Sequence, residues 1–198
     1  MAYRGSNTTV VWALIAANLM LFIATLIFTS ADQDLISILG LQPASFGDRP
    51  WTLVTAMFMH ANFWHILVNM ITLYFFGSYL TGLLGAKRFL IVYLAGGILG
   101  SVFYLLINLY LPFNSPYHIA VGASGAIFAL GGTLTVMRPR LRVFVFPIPA
   151  PLPLWVAVIG GFVIISVFPG IAWEAHLGGL VLGLVAGFFF RRRERYYS

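Results

Sequence analysis

Six apolar stretches, most of them near the length that crosses a lipid bilayer, follow one another through most of this chain. A hydrocarbon core of about 30 Å needs roughly 20 apolar residues, because an α-helix rises about 1.5 Å per residue. Only 8% of the 198 residues are charged, whereas soluble domains carry about 25%. The sequence therefore predicts an all-α polytopic membrane protein, folded as one membrane domain over residues 1–198, with no sizeable soluble part.

Turn-forming residues between the apolar stretches set the predicted spans. Gly85-Ala86-Lys87-Arg88 separates the second from the third, Pro112 to Pro116 ends the third, and Pro169-Gly170 ends the fifth. The first stretch has no small-x-small cleavage site and is expected to stay as a helix. Four prolines between positions 147 and 153 predict a stiff connector before the fifth. We expect spans at about 10–28, 63–84, 89–111, 119–137, 154–168 and 173–190.

Basic residues occupy alternate connections. Arg49 lies in the first connection with Asp32, Asp34 and Asp48, and the other ten lie at the amino terminus, in the second and fourth connections or in the tail: Arg4, Lys87, Arg88, Arg138, Arg140, Arg142, Arg191, Arg192, Arg193 and Arg195. Because cytoplasmic loops are enriched in Lys and Arg, we expect both termini in the cytoplasm of a cell-membrane protein. The basic tail could bind anionic lipid or nucleic acid, but topology alone explains the net charge of +6 and no nucleic-acid partner is expected.

The fourth apolar stretch begins with Gly122-Ala123-Ser124-Gly125. Gly122 and Gly125 permit unusual backbone angles and the close approach of another helix or a substrate. The motif would also suit a serine that merely caps a helix, so alone it is weak. A helix from Ser124 to Met137 has 14 residues and is about 21 Å long. It is too short to cross, so we expect Ser124 on the order of 10 Å below the surface, after a non-helical Ile119 to Ala123.

Three histidines lie at the predicted depth of Ser124: His60, His65 and His176. Histidine is rare within membrane spans, and a lone one would suggest only a hydrogen bond between helices. A neutral imidazole can accept the proton of a serine nucleophile, and we predict that His176 does so for Ser124. His65 and Asn69, four residues apart on one helical face, could stabilise an oxyanion together with the Ser124 N–H.

Small residues predict close packing of the fourth and sixth helices. Gly179 and Gly183 are four residues apart, a spacing that lets helices approach closely in membranes. The predicted facing residues follow Ser124 on its own helical face: Phe128, Gly131 and Gly132. This packing would bring His176 to Ser124 and place the Phe128 ring against the imidazole.

A carboxylate that would complete a triad is not evident. Glu174 lies two residues before His176 and should point away from it in a helix, and the other acidic residues lie in the first connection or, as Glu194, in the tail. We therefore expect a serine–histidine dyad. A metal site is the rival explanation for the three histidines, but it would need carboxylate or water ligands, and no H-E-x-x-H pattern exists. Cysteine is absent, and we expect neither a metal nor a cofactor.

Together these residues resemble the rhomboid intramembrane serine proteases. The resemblance runs from about Trp51 to Gly187 and rests on three blocks in order: Met59-His60-Ala61-Asn62-Phe63-Trp64-His65-Ile66-Leu67-Val68-Asn69, then Gly122-Ala123-Ser124-Gly125, then Ala175-His176-Leu177-Gly178-Gly179 with Gly183. It implies a six-helix bundle, and the charge pattern predicts that the active site lies toward the extracytoplasmic side. The implied roles are Ser124 as nucleophile, His176 as base, His65 and Asn69 at the oxyanion, and His60 as a structural residue.

The family resemblance also implies an endopeptidase that cuts transmembrane helices of protein substrates in the bilayer, with small residues at the cut. Two positions depart from the family pattern: Thr81 stands where members often have Glu, and Arg49 with Trp51 only partly matches a Trp-Arg pair. An inactive relative that binds transmembrane clients is disfavoured because no catalytic position is lost. A small transporter is disfavoured because inverted repeats and paired broken helices are not evident. The sequence leaves the physiological substrate and the oligomeric state open.

Overall fold

The computed structural model describes residues 8–28, 34–111, 115–145 and 147–196. Arg4, Asp32 and the predicted turn at Pro112-Phe113-Asn114 lie outside the described residues. Short 3-10 turns occur at Pro43–Ser45 and Ala56–Phe58, before the second long helix. The helices are α1 Thr9–Ile27, α2 Leu35–Leu39, α3 Thr52–Thr55, α4 Phe63–Leu84, α5 Ala86–Tyr110, α6 Ser124–Met137, α7 Leu154–Ser166 and α8 Trp173–Tyr196.

Four of these helices, α1, α4, α5 and α8, are long and apolar enough to cross a membrane, and α6 and α7 are shorter apolar helices. The predicted bounds of α4 and the predicted start of α6 at Ser124 are confirmed. α5 begins at Ala86 rather than at residue 89, because Gly85 with φ +80° makes the whole break and Lys87 and Arg88 are already helical. α8 continues beyond residue 190 to Tyr196, because Arg and Glu favour helices and no Gly or Pro interrupts them.

The first connection, between α1 and α4, contains α2, and side-chain hydrogen bonds hold its later part, residues 49–55, against the end of α2. Three side chains donate to three successive backbone carbonyls there: Arg49 to Ser37, Trp51 to Ile38 (3.1 Å) and Thr55 to Leu39 (2.7 Å). The last carbonyls of a helix have no partner within the helix, so such donors complete its end. The incomplete Trp-Arg match therefore still anchors this connection.

The connection after α6 contains a small β-ladder, which the sequence analysis did not predict, within an otherwise helical fold. β1, Arg142–Val143, pairs antiparallel with β2, Leu152–Pro153, and the Leu154 N–H donates to the Leu141 carbonyl over 2.8 Å. The prolines of this connection lack an N–H and cannot continue a helix. The segment is therefore extended and turned, and its two ends pair with each other.

α6 forms the centre of the bundle. Eleven of its fourteen residues are buried, and it contacts α4, α5, α7 and α8. Its closest neighbour is α8, whose glycines leave no room for a side chain. A Cβ added to one of them would overlap a backbone carbonyl of α6: Gly179 against Gly125, Gly183 against Ala129, and Gly187 against Thr133. The predicted close packing of these two helices is confirmed.

Two adjacent glycines of α6 face different neighbours. A Cβ on Gly132 would lie 3.0 Å from the Leu180 carbonyl oxygen of α8, as predicted. The prediction that Gly131 also faces α8 is wrong, because a Cβ there would meet Phe76 of α4 and Val158 of α7. Successive residues of an α-helix are about 100° apart around its axis, so one glycine of the pair turns away from α8.

α5 packs against the same two helices through glycines that the sequence analysis did not single out. A Cβ on Gly96 would overlap the Ala129 side chain of α6. A Cβ on Gly100 would lie 2.6 Å from the Ala175 carbonyl oxygen of α8. α5, α6 and α8 therefore meet backbone to backbone near Ser124.

A single methyl group should test this packing. We expect Gly183→Ala to lower the free energy of unfolding in detergent micelles by about 1–3 kcal/mol, because α8 must move away from Ala129. The control is Gly160→Ala in α7, where no atom lies within 4 Å of an added Cβ. That variant should be neutral or gain up to about 1 kcal/mol from the helix propensity of alanine. Equal stability of the two variants would contradict the close contact.

Candidate active site

The Ser124 hydroxyl lies within hydrogen-bond distance of His176. Ser124 Oγ is 2.7 Å from His176 Nε2, across 52 residues of chain. Ser124 is the first residue of α6, the N-cap is Ala123, and no side chain caps this end. The serine is therefore not the helix cap that its motif could also have indicated.

The imidazole of His176 is held in place by its surroundings. Its side chain is 6% exposed, and the Phe128 ring lies against it with centroids 4.9 Å apart and planes inclined by 33°. This is the predicted contact. Among the residues that the structure describes, no hydrogen-bond partner reaches His176 Nδ1. The arrangement is thus a serine–histidine pair without a carboxylate at the far nitrogen.

The backbone before Ser124 is non-helical, as predicted, and is held by the first connection. Leu41 and Ala120 exchange two hydrogen bonds of 2.9 Å, and the Gly122 N–H donates to the Ala56 carbonyl over 2.9 Å. Gly122 has φ +128°, and a Cβ there would lie 2.7 Å from the His65 imidazole. Both its angle and its close neighbour require glycine at this position.

Gly125 has a different role from the one its motif suggested. Among the described residues, only Gly85, Gly122 and Gly170 have positive φ, so the expectation of unusual backbone angles at Gly125 is wrong. A Cβ at Gly125 would instead lie 3.1 Å from the Ala175 carbonyl oxygen of α8. The expectation of close approach by another helix is confirmed.

His65 and Asn69 lie on α4, on the side of Gly122. The Asn62 side chain accepts from the His65 N–H over 2.9 Å and so caps the helix that carries both residues. The His65 ring lies against Gly122. Asn69 is 6% exposed, and its Nδ2 donates to the His65 carbonyl over 2.7 Å. His65 is therefore close to the segment before Ser124, and Asn69 lies one turn further along the same face.

His60 is fully buried in the loop before α4. Its ring centroid lies 5.1 Å from that of His65, with the planes inclined by 66°. Burial, with the neighbouring His65 imidazole as the second cause, lowers the pKa of His60 to about 3. Within the described residues, no three His, Cys, Asp or Glu side chains are grouped as a metal ion would require.

A small cavity of about 30 Å³ adjoins Ser124. Most of its lining is Gly and Ala, including Gly97, Gly122 and Gly125, and Ser101 and Tyr104 supply its polar side chains. A volume of about 10–15 Å³ accommodates one water molecule, so the cavity has room for about two. Small residues from four parts of the chain thus leave a confined space beside the hydroxyl.

Comparison with known proteins identifies the family. The sequence model of the family described as Rhomboid domain matches residues 47–193 of this chain. The chain is 33% identical over 196 residues to RHOMBOID-like protein 12, mitochondrial, of Arabidopsis thaliana, covering 91% of this chain and 58% of that protein. The chain belongs to the rhomboid family. Because its helices are long and apolar enough to cross a membrane, this rhomboid is a multi-pass membrane protein.

Other relatives of this rhomboid differ in length and in organism. Rhomboid protein 1, mitochondrial, of Saccharomyces cerevisiae is 30% identical over 149 residues, covering 71% of this chain and 42% of that protein. YdcA of Bacillus subtilis, whose name describes it as a candidate rhomboid protease, is 33% identical over 151 residues, covering 74% of this chain and 71% of that protein. This rhomboid thus spans about half the length of the first relatives that it matches.

A buried polar network near the histidine was missed by the sequence analysis. Glu174, as predicted, makes no hydrogen bond to His176 Nδ1, and its carboxylate accepts from Asn108 Nδ2 of α5 over 3.2 Å. Asn108 also donates to the Tyr104 carbonyl over 2.9 Å, and the Tyr104 hydroxyl donates to the His118 carbonyl over 3.0 Å. Asn108 in an apolar helix was the signal available in the sequence. The network joins the start of α8 to the end of α5 and to the connection before Ser124.

The Glu174–Asn108 contact should contribute to stability. We expect Glu174→Leu to lower the free energy of unfolding by about 1–3 kcal/mol, because it removes a buried acceptor from Asn108. Glu174→Gln keeps an acceptor oxygen of the same reach and should stay within about 1 kcal/mol of wild type. Chemical unfolding in detergent micelles measures both. A Glu174→Leu protein as stable as wild type would show that the contact contributes nothing.

His60 should make stability depend on pH. The folded pKa is about 3, whereas an unfolded histidine has a pKa of about 6.5. Between these values the unfolded chain binds a proton that the folded chain does not, so the free energy of unfolding falls as the pH drops below about 6.5. Unfolding in micelles at several pH values should show a shallower decline for His60→Gln. His118→Gln, at an exposed position, should keep the wild-type slope; identical slopes for all three proteins would exclude the effect.

Proposed function

We propose that this rhomboid protein is an intramembrane serine endopeptidase that hydrolyses peptide bonds in or near transmembrane helices of other proteins. The observation that carries the proposal is the 2.7 Å separation of Ser124 Oγ and His176 Nε2. A serine hydroxyl is a weak nucleophile until an adjacent base accepts its proton. The name of the relative YdcA, which describes a candidate rhomboid protease, supports the same reaction.

The first half of the proposed reaction is acyl transfer. Ser124 Oγ attacks the substrate carbonyl carbon while its proton passes to His176 Nε2. The carbonyl oxygen becomes negatively charged, and the Ser124 N–H at the start of α6, together with His65 and Asn69, stabilises it. His176 then protonates the leaving amine, and the substrate acyl group remains esterified to Ser124.

The second half is hydrolysis of that ester. His176 removes a proton from a water molecule, whose oxygen attacks the acyl carbon, and Ser124 Oγ leaves with the proton returned by His176. The cavity of about 30 Å³ beside Ser124 offers space for such water. Its Gly and Ala lining also supports small substrate residues at the cut, because a bulky side chain would not fit there.

The topology belongs to the same proposal. In it α6 and α7 complete six membrane spans in a single rhomboid domain, and both termini lie in the cytoplasm. The charge pattern supports this, because Lys and Arg are concentrated after α4, after α6 and at the end of α8, which are alternate spans in this topology. Ser124, at the end of α6 remote from Arg138, then faces the extracytoplasmic side of the cell membrane. His60, Gly122, Gly125, Phe128, Gly179 and Gly183 support the site in the proposal by holding the positions of Ser124, His65 and His176.

Removal of either member of the pair should abolish proteolysis. Ser124→Ala and His176→Ala should each reduce cleavage of a reporter with one transmembrane helix by about a thousandfold or more, measured in proteoliposomes. The control is Ser166→Ala, whose hydroxyl donates to the Phe162 carbonyl at the end of α7; it should cleave like wild type. A fluorophosphonate probe should label wild type at Ser124 and leave Ser124→Ala unlabelled.

Two results would contradict this proposal. Full cleavage by folded Ser124→Ala would exclude Ser124 as the nucleophile. Wild type that binds the reporter but neither cleaves it nor reacts with the probe would instead indicate an inactive relative that holds transmembrane clients. Thermal unfolding of each variant shows whether a loss of activity reflects chemistry or misfolding.

A further inference from the structure

A second cavity, of about 340 Å³, lies at the opposite end of α6 from Ser124. Its lining includes Tyr79 from α4, Arg138 and Arg140 after α6, and Arg191 from α8. We call it the basic cavity. No acidic residue is among its described lining residues. Its volume falls within the range of about 300–1,000 Å³ that is usual for ligand pockets.

Two of these arginines are held by the end of α6. Arg138 Nη1 donates to the Met137 carbonyl over 2.9 Å, and Arg191 Nη1 donates to the Val136 carbonyl over 3.2 Å. These carbonyls have no partner within the helix, so the bonds fix both guanidinium groups at the cavity. Arg191 uses one of five N–H donors in this bond. Its remaining donors keep their capacity for an anion.

The helix dipole does not neutralise this site. The carboxyl end of a helix carries about half a negative charge, whereas Arg140 and Arg191 alone bring two positive charges to the basic cavity. Positive charge therefore remains in excess at the cavity. The enrichment of Lys and Arg in cytoplasmic loops accounts for basic residues in these connections. It does not require side chains from α4, α6 and α8 to converge on one concave site.

The position of the basic cavity suggests the source of its ligand. Arg191 lies in the last turn of the candidate span Trp173–Arg192, so the cavity opens at the boundary between hydrocarbon and water. Phospholipid phosphate groups lie at this level, and basic pockets between transmembrane helices bind anionic headgroups. Arginine is well suited to this contact, because its planar group donates two parallel hydrogen bonds to phosphate oxygens.

We propose that the basic cavity binds the phosphate of an anionic phospholipid headgroup. Arg140 and Arg191 are the principal ligands, and the Tyr79 hydroxyl is a further donor. Binding there joins the ends of α4, α6 and α8 through one ligand and ties this end of α6 to the membrane surface. The site is separate from Ser124 and His176, so the inference does not depend on the proposed protease activity.

Lipid binding can be measured on the whole protein. Native mass spectrometry from micelles should show phosphatidylglycerol retained by wild type in preference to phosphatidylcholine. The double variant Arg140→Gln with Arg191→Gln should weaken retention of phosphatidylglycerol at least tenfold. The matched control, Arg142→Gln with Arg192→Gln, removes two exposed arginines that do not line the cavity. It has the same net charge as the double variant and should stay within twofold of wild type.

Three outcomes would overturn the inference. Equal losses in the two double variants would show a general attraction between the basic surface and anionic lipid. Unchanged retention in the Arg140→Gln, Arg191→Gln variant would exclude the site. Inorganic phosphate that displaces phosphatidylglycerol at millimolar concentration, and stabilises wild type as much, would make free phosphate the ligand.

A single variant keeps the test open if the double variant does not fold. Arg191 also completes the end of α6, so its loss affects the helix as well as the cavity. Arg140 is exposed, and Arg140→Gln alone should fold and weaken retention about threefold to tenfold. The same measurement on Ser124→Ala should match wild type, so failure of the protease proposal would leave this result unchanged.

Discussion

Direct contact between the backbones of α6 and α8 determines where Ser124 and His176 meet. Helices that associate within a membrane remove no apolar surface from water, so the hydrophobic effect does not drive their association. It depends instead on close packing and on hydrogen bonds between them. Gly179 against Gly125 and Gly183 against Ala129 let the two backbones touch. A displacement of about 1 Å can cost a reaction about a hundredfold in rate. A side chain at either contact would separate the helices and carry His176 away from the serine.

The first connection completes this arrangement from the other side of Ser124. Non-helical backbone at depth must have its hydrogen-bonding groups satisfied by protein or water. The bonds of Ala120 to Leu41 and of Gly122 to Ala56 satisfy part of the segment before α6. The same connection is tied to α2 by Arg49, Trp51 and Thr55. Residues 35–60 therefore act as a support for the start of α6, which is why polar anchoring side chains occur in a loop so rich in apolar residues.

Sequence reasoning predicted the helices and the meeting of Ser124 with His176, because lipid imposes strict lengths and glycine spacing marks a close face. It misjudged which helices Gly131 faces, for one reason. Spacing along a helix shows which residues share a face, but it does not show which neighbour covers that face. Gly131 meets α4 and α7, and Gly125 is needed for the approach of Ala175 rather than for its own backbone angles. The partner of Glu174 was likewise unpredictable, because Asn108 is brought to it only by packing of α5 against α8.

The two ends of α6 give one short helix two opposite electrostatic tasks. Its amino end carries partial positive charge from unpaired N–H groups. In the proposed reaction this is where negative charge develops, at an oxyanion beside the Ser124 N–H. Its carboxyl end carries partial negative charge and is completed by Arg138 and Arg191. In the proposed topology, a longer helix would move Ser124 toward the surface or bury the arginines, so the 14-residue length of α6 fits a serine below one membrane surface and arginines at the other.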